Sequence, residues 1–155
     1  MTKNYITSEA YKKLKEELNI LKTVKRGEIA LKIQEAKELG DLSENAAYQE
    51  AKDSQAALET RILEIEVLLK NVSIIRPTKS NGFVEIGSSV TVKSLSLSRT
   101  KRQFTIIGAQ EANPAEGKIS NESPLGKSFL GHKKGDIVIV KIPKGDVKYK
   151  IVEIQ

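Results

Sequence analysis

Two acidic residues three positions apart, Asp41 and Glu44, are the residues of this sequence best suited to chemistry. They lie in the segment Gly40–Ala46, just before a helical pattern begins. Residues i and i+3 share one face of a helix, so both carboxylates can point the same way. A hard cation such as Mg²⁺ typically takes one or two carboxylates together with phosphates and waters. Two acids alone make an incomplete metal site, which we expect to bind magnesium poorly without a partner that supplies further ligands.

Local physics also offers a structural interpretation of the same pair. Asp41 can serve as the N-cap of the following helix, and Glu44 can reach back to the Asp41 amide, as in a capping box. Both negative charges suit the positive end of a helix dipole, and the same dipole weakens the affinity for a cation. From these local arguments alone, the capping interpretation is favoured over metal chemistry.

A long helical pattern precedes the acidic pair. Thr7 is a plausible N-cap for this helix, and Gly40 suits its C-terminus. Its apolar stripe consists of Tyr11, Leu14, Leu18, Leu21, Ile29, Ile33 and Ala36. The stripe weakens at Lys25 and resumes at Ile29, one residue out of step. We therefore expect one helix of about 30 residues, with a kink, a repacking or a contact surface at the change of step.

A second helical pattern follows the acidic pair and repeats as a heptad seam. Its seam positions are Tyr48, Ala51, Gln55, Leu58, Ile62, Ile65 and Leu69. Two such helices joined by so short a link fold back antiparallel, which gives a hairpin about 45 Å long. A rod with a single seam buries little apolar surface for its length. Such a shape is expected when residues at its tip must reach a distant site. The alternative is a dimerising coiled coil or a structural adaptor.

The chain changes character near Arg76, where glycine, proline and a period-2 pattern replace the helical pattern. We place a coiled-coil domain at 1–75 with its acidic tip at 40–46, a linker at 76–82 and a sheet domain at 83–155. Strands are predicted at Ser89–Leu97, Gln103–Ile107, Asp136–Ile142 and Val147–Ile154. The turn Pro143–Asp146 joins the last two strands as an antiparallel hairpin.

A short helix is predicted inside the sheet domain. Ser123 is its N-cap, Pro124 occupies the first helical position, and Gly131 lies just past its end. The fold class is therefore α+β. His132, the only histidine, follows this helix and is interpreted as a surface or capping residue.

The composition excludes several classes of site. The chain has no cysteine, which excludes disulfides and thiolate metal sites. No apolar run approaches the roughly 20 residues of a membrane span, and Met1–Tyr5 lacks the apolar core of a signal peptide. A cytoplasmic protein with no membrane partner is expected. No Gly-rich phosphate loop offers a separate active site.

The net charge of +6 is unevenly distributed. Residues 1–75 hold 12 Lys and Arg against 13 Asp and Glu, whereas residues 76–155 hold 14 against 7. A basic excess of this size favours a nucleic-acid or acidic protein partner, or simply keeps the chain soluble.

Two stretches resemble a known family. The segment Glu38–Ala46, followed by Tyr48, resembles the tip motif of the GreA/GreB family of bacterial transcript cleavage factors, and this motif is highly specific. The stretch from Ser123-Pro124 through Phe129–Gly131 to Gly135-Asp136 resembles the family's C-terminal domain, with moderate specificity. The similarity spans nearly the whole chain in order.

The resemblance implies a fold and a mechanism. The family has an N-terminal antiparallel coiled coil and a C-terminal FKBP-like domain that docks on the rim of the RNA polymerase secondary channel. The coiled coil enters the channel and brings its acids to a backtracked complex, where they help hold a second Mg²⁺ and orient the attacking water. The polymerase then cleaves the extruded RNA. The factor is therefore not itself an enzyme, has no cofactor of its own, and is expected to be a monomer.

The family's functional residues match defined positions of this sequence. The acids would be Asp41 and Glu44, which share the magnesium ion with polymerase, and Asn45 and Tyr48 would support the tip. The polymerase-binding loop would be Glu122, Ser123 and Pro124, although Ser123-Pro124 also suits a simple helix start. Five basic residues of the rod could touch the extruded RNA, or form a solvated face with their acidic neighbours: Lys22, Lys25, Arg26, Lys52 and Arg61.

Several alternatives remain at this level. Within the family, the near-neutral first half favours a GreA-like over a GreB-like member, whose rod has a larger basic patch. A Gre-like inhibitor that plugs the channel would carry more acids at its tip. A peptidyl-prolyl isomerase is suggested by fold analogy alone, which is weak, and the second half is poor in the aromatic residues such a pocket needs.

Overall fold

The computed structural model describes residues 3–41, 44–76, 81–96 and 99–155 of the chain. Contacts divide the chain into a helical unit, residues 11–71, and a sheet unit, residues 1–10 with 72–155. The helices of the first half are α1 (Ser8–Ile20), a π-helical segment (Leu21–Lys25), α2 (Arg26–Glu38) and α3 (Ala46–Lys70). No helix in the described ranges is long and apolar enough to span a membrane.

The helical unit is an antiparallel hairpin. Contacting residues lie progressively farther apart in sequence away from the turn: Ala36 with Asn45, Arg26 with Glu59, and Lys22 with Glu66. The predicted seam of α3 is confirmed, because its buried residues all belong to it: Ala51, Leu58, Ile62 and Ile65. On the facing helix, Ala36 is buried and the predicted stripe positions from Tyr11 to Ile33 are half-buried.

The π-helical segment explains the change of step in the first stripe. A π-helical turn is wider than an α-helical turn and inserts one extra residue. The stripe shows the same offset of one residue between Leu21 and Ile29, on either side of Leu21–Lys25. The helix thereby keeps its apolar stripe facing α3, so the irregularity at Lys25 is a repacking device.

The sheet unit contains a five-stranded sheet of order β5-β4-β3-β7-β6. Its strands are β3 (Ser89–Ser94), β4 (Lys101–Ile107), β5 (Lys118–Ser120), β6 (Ile137–Ile142) and β7 (Gly145–Ile154). The predicted hairpin is confirmed, since β6 and β7 pair antiparallel from Ile142 opposite Gly145. The first strand was predicted too long, because β3 ends at Ser94, and Leu97 lies outside the described residues. The sheet is antiparallel except that β5, which the sequence did not indicate, pairs parallel with β4.

One face of this sheet is covered by a short helix, α4 (Pro124–Phe129). Phe129 is fully buried, stacks on Phe104 at 6.0 Å and meets Tyr149 edge to face at 5.9 Å, measured between ring centroids. It belongs to a core of nine buried residues: Val84, Val90, Val92, Ile106, Ile119, Phe129, Val138, Val140 and Ile151. The α+β class with a helical hairpin and a sheet unit is therefore confirmed.

The sheet unit also contains a parallel strand pair formed by its N-terminal segment and the segment that follows α3. Strand β1 (Asn4–Thr7) pairs with β2 (Val72–Ile75), and Ile6 is buried. The Thr7 amide donates to Glu111 Oε2 and the Thr7 hydroxyl to Glu111 Oε1, both at 2.7 Å. Thr7 Oγ1 also accepts from the Ala10 amide at 3.2 Å, which confirms Thr7 as a helix cap. Sequence reasoning missed both strands.

Candidate functional site

The acidic pair lies where α2 ends and α3 begins, which is the turn of the hairpin. Gly40 has φ +126°, a conformation that favours glycine and ends the helix. Asp41 and Glu44 are both exposed, and Leu42 and Ser43 between them lie outside the described residues. The two predicted acids are thus presented to solvent at the free end of the hairpin.

The cap of α3 is Asn45, which corrects the capping-box prediction for Asp41 and Glu44. Asn45 Oδ1 accepts from the Tyr48 amide at 3.0 Å, and the helix starts at Ala46. Asparagine and aspartate are equally good N-caps, so local physics could not choose between them. The N-terminus of α3 is therefore satisfied by a neutral side chain, and the acids are not needed to cap it.

Asn45 also ties the two helices together at the tip. Its Nδ2 donates at 2.5 Å to the carbonyl of Ala36 in the last turn of α2, which also accepts from the Leu39 amide at 3.2 Å. One half-buried side chain thus joins the end of α2 to the start of α3 and fixes the geometry of the turn. Tyr48 is half-buried in the first turn of α3, and its backbone amide is the donor to Asn45 Oδ1.

A shallow groove lies beside the acids, where small residues let α2 and α3 approach closely. Leu39 at its edge is 76% exposed. The groove is lined by Lys32, Glu35, Ala36, Leu39, Ala47, Glu50, Ala51 and Ser54. Within the described ranges, no three His, Asp or Glu side chains form a group that could hold a metal ion. At this tip, the acidic side chains of Asp41 and Glu44 are exposed and could bind a cation.

Two of the five basic candidates, Arg26 and Lys22, pair with acids across the hairpin. Arg26 forms a two-pronged contact with Glu59, with both N–O distances 2.7 Å, and Lys22 pairs with Glu66. The hydrogen bond from Arg26 lowers the pKa of Glu59, and that from Lys22 lowers the pKa of Glu66.

The remaining basic candidates follow the same pattern. Lys25 pairs with Glu28 at 2.9 Å. Arg61 contacts Glu17 and Glu64, and the hydrogen bond to Glu17 raises the pKa of Arg61. Lys52 donates to the Gln55 side-chain oxygen at 3.0 Å. For Lys22, Lys25, Arg26 and Arg61 these contacts favour a solvated, ion-paired face over an RNA-binding face, whereas Lys52 contacts a neutral side chain.

The predicted docking loop precedes α4 in the sheet unit. Ser123 Oγ accepts from the Gly126 amide at 3.0 Å and donates to the Ser120 carbonyl at 2.7 Å. Glu122 and Pro124 are exposed on either side. The helix-start interpretation of Ser123-Pro124 is confirmed, and it leaves the flanking side chains available to a partner.

His132 has a structural setting. Its Nδ1 lies 3.3 Å from Asp136 Oδ2, which also accepts from the Lys133 amide at 2.9 Å. The Lys133 amide is the main cause of a lowered pKa of Asp136. The pair closes the turn before β6, in line with the surface role predicted for His132.

Comparison with known proteins matches both halves of the chain. Residues 4–74 match the family model "Transcription elongation factor, N-terminal", and residues 79–155 match "Transcription elongation factor, GreA/GreB, C-term". Transcription elongation factor GreA of Thermoanaerobacter pseudethanolicus is 48% identical over 151 residues, covering 97% of this chain and 96% of that protein. GreA of Clostridium acetobutylicum is also 48% identical, over 99% and 97% of the two chains.

A solved structure is similar as well. GreA factor homolog 1 of Thermus thermophilus aligns over 99% of both chains with 28% identity and a TM-score of 0.45. The assignment rests on the sequence matches, which cover both halves. The chain belongs to the GreA/GreB family of transcription elongation factors.

Proposed function

We propose that this chain is a transcript cleavage factor for bacterial RNA polymerase. It enters the polymerase secondary channel with its hairpin and stimulates the polymerase's own cleavage of backtracked RNA, which releases arrested complexes. The single observation that supports this most is the tip itself. Asp41 and Glu44 are exposed at the hairpin turn, and Asn45 caps α3 in their place.

The chemistry of the donors fits a shared Mg²⁺. Magnesium is held in phosphoryl-transfer sites by one or two carboxylates plus phosphates and waters, and Asp41 and Glu44 would supply two carboxylates. When bound, the ion would stabilise charge on the attacking and leaving oxygens of the phosphodiester. The chain's own contribution is to place two negative oxygens, and a carboxylate can also accept a hydrogen bond from a water and orient it.

The rest of the chain supports delivery of the tip. Ion pairs of Lys22, Lys25, Arg26 and Arg61 compensate part of the charge on the hairpin surface that would enter a narrow channel. The loop at Glu122 to Pro124, held by Ser123, would contact the polymerase outside the channel. Neutralisation of Lys22, Arg26 and Arg61 favours a GreA-like over a GreB-like activity.

The decisive experiment removes the tip charges without removing the cap. Asp41→Asn together with Glu44→Gln should leave folding and polymerase binding intact, because Asn45 caps α3. RNA cleavage in a stalled, backtracked complex should fall by more than about tenfold, the scale seen when support of a bound metal is weakened.

The matched control is Glu50→Gln with Asp53→Asn, an exposed pair on α3 with the same spacing and charge change. It should keep most of the cleavage activity. Full activity in the Asp41/Glu44 double variant would contradict the proposal, and so would equal losses in the two double variants.

A further inference from the structure

The outer face of the five-stranded sheet carries lysines side by side on neighbouring strands. Val90 and Val92 of β3 are buried in the core, and side chains alternate along a strand, so Lys93 lies on the opposite, outer face. Lys93 stands directly opposite Lys101 of β4 and Lys150 of β7. We refer to Lys101, Lys93 and Lys150 as the lysine row.

The lysine row has no internal compensation. Like charges directly opposite on neighbouring strands destabilise a sheet, and within the described part of the chain none of the three lysines forms an ion pair. The acids of the same face stand elsewhere, Asp146 opposite Lys141 and Glu153 opposite Thr91. On the hairpin, by contrast, Lys22, Arg26 and Arg61 each meet an acid.

Apolar side chains continue the row on the edge strand β6. Ile137 lies opposite Lys150 and is 56% exposed, and Ile139 lies opposite Lys148 and is 52% exposed. The row also lines a shallow concavity, whose lining residues are Lys93, Leu95, Lys101, Lys134, Gly135, Lys150, Ile151 and Val152. The face thus combines a positive strip with an apolar margin.

This combination discriminates between two kinds of partner. A nucleic-acid backbone would neutralise the lysines, but its phosphates offer no surface to cover the isoleucines. An acidic protein segment with apolar side chains offers both, and protein interfaces gain most from a desolvated apolar centre beside complementary charges.

We propose that the lysine row, with Ile137 and Ile139, is a docking face for an acidic, partly apolar protein surface. Resting on the proposed function, we assign that surface to RNA polymerase, as a contact additional to the loop at Glu122 to Pro124. It would orient the sheet unit on the polymerase and would make binding depend on salt.

The test uses the full-length chain and purified RNA polymerase. Lys93→Gln, Lys101→Gln and Lys150→Gln together should weaken binding by roughly tenfold at low salt, with the difference shrinking as salt is added. The matched control is Lys118→Gln, Lys133→Gln and Lys144→Gln, three exposed lysines of the sheet unit outside the row, with the same total charge change. Thermal unfolding of the first variant should be unchanged or higher, because repulsion within the row is removed.

A second measurement on the unaltered chain removes any dependence on folding of the variant. A carbodiimide joins lysine amines directly to carboxylates, so it should crosslink the lysine row to Asp or Glu side chains of polymerase. Equal binding by the two triple variants, or crosslinks that avoid the row, would overturn the inference. So would tighter binding of the row to duplex DNA or single-stranded RNA than to polymerase.

The same preparations separate this inference from the proposed function. The Asp41→Asn and Glu44→Gln variant should retain the lysine crosslinks while losing cleavage. If the unaltered chain binds polymerase but stimulates no cleavage, the proposed function fails. If it binds and stimulates cleavage while the lysine-row variant behaves as its control, only the docking face fails.

Discussion

Basic side chains in the middle of the hairpin and on the outer face of the sheet have opposite surroundings. Lys22, Arg26 and Arg61 each meet an acid of the hairpin, whereas Lys93 meets only lysines on both neighbouring strands. On the outer face of the sheet, therefore, positive charge is concentrated without an acid beside it. Charge counts in the sequence point the same way, but the cross-strand register shows which lysines stand together.

The two units also bury apolar surface differently. The sheet unit has a core in which Phe129 contacts side chains from several strands. The hairpin has a single seam whose buried positions, such as Ile62 and Ile65, are distributed along one helix. A change in the sheet core should therefore be felt by the whole unit, whereas a change in the hairpin should stay more local.

The largest effect is expected from Phe129→Ala. Deleting a fully buried aromatic ring costs about 3–5 kcal/mol, so the sheet unit should lose much of its stability. The matched control is Phe83→Ala, because Phe83 is 42% exposed and lies beneath Lys133 rather than in the core. Urea denaturation followed by hydrogen exchange in β3 and β7 would measure both. Similar losses in the two variants would contradict the picture of one shared core.

A smaller effect, with opposite signs in the two units, is expected from adding one methyl group. At Gly108 a Cβ would lie 1.5 Å from the Tyr5 carbonyl oxygen, so Gly108→Ala should push β1 away and cost about 1–3 kcal/mol. At Gly27, inside α2, a Cβ would meet nothing within 4 Å, so Gly27→Ala should stabilise the hairpin by about 0.5–1 kcal/mol.

Chemical denaturation of the two glycine variants gives the sign of each change. Hydrogen exchange at Tyr5 and Ile6 then shows whether β1 has left the sheet unit in Gly108→Ala. Unchanged protection of these amides would mean that the first strand is not held by this close approach.

Much of the fold was predictable because its signals are local. The heptad seam of α3 is periodic. The one-residue offset after Leu21 in the first stripe coincides with the π-helical segment. Ser123-Pro124 has the residue types of a helix start, and Pro143–Asp146 those of a hairpin turn. Each of these patterns is decided within a few residues.

The missed features depend on distant partners. Strand β1 has four residues, and it is stabilised by β2 at 72–75 and by Glu111, 104 positions from Thr7. Strand β5 has three residues and pairs parallel with β4. The choice of Asn45 over Asp41 as N-cap was also not local, because the side-chain amide of Asn45 donates to the Ala36 carbonyl of the other helix.

A third prediction concerns the tip of the hairpin. Asn45→Ala removes the cap of α3 and the contact with Ala36, and loss of an N-cap costs about 0.5–2 kcal/mol. Hydrogen exchange should increase at the end of α2 as well as at the start of α3, because one side chain holds both. The control is Gln49→Ala, whose exposed side chain donates to Asp53 Oδ1 at 2.9 Å within α3. Faster exchange confined to α3 would contradict the proposed tie between the helices.

The smallest effect is expected from acid. The pKa of Glu59 is lowered chiefly by its hydrogen bonds with Arg26, so the folded hairpin favours the charged form. The resulting stability is present above the ordinary glutamate pKa of about 4.3 and is lost as pH falls through the lower pKa of the folded state. In Glu59→Gln, the urea concentration at the midpoint of unfolding should therefore fall less steeply as pH is lowered. Helical circular dichroism would measure this midpoint. The control Glu35→Gln, on an exposed residue of α2, should leave this pH dependence unchanged.

Added salt should reduce the difference between Glu59→Gln and the unaltered chain, because the ion pair of Arg26 and Glu59 is exposed. Superimposable curves for Glu59→Gln and the unaltered chain would mean that this ion pair contributes no stability, and that its role on the hairpin is neutralisation of charge alone.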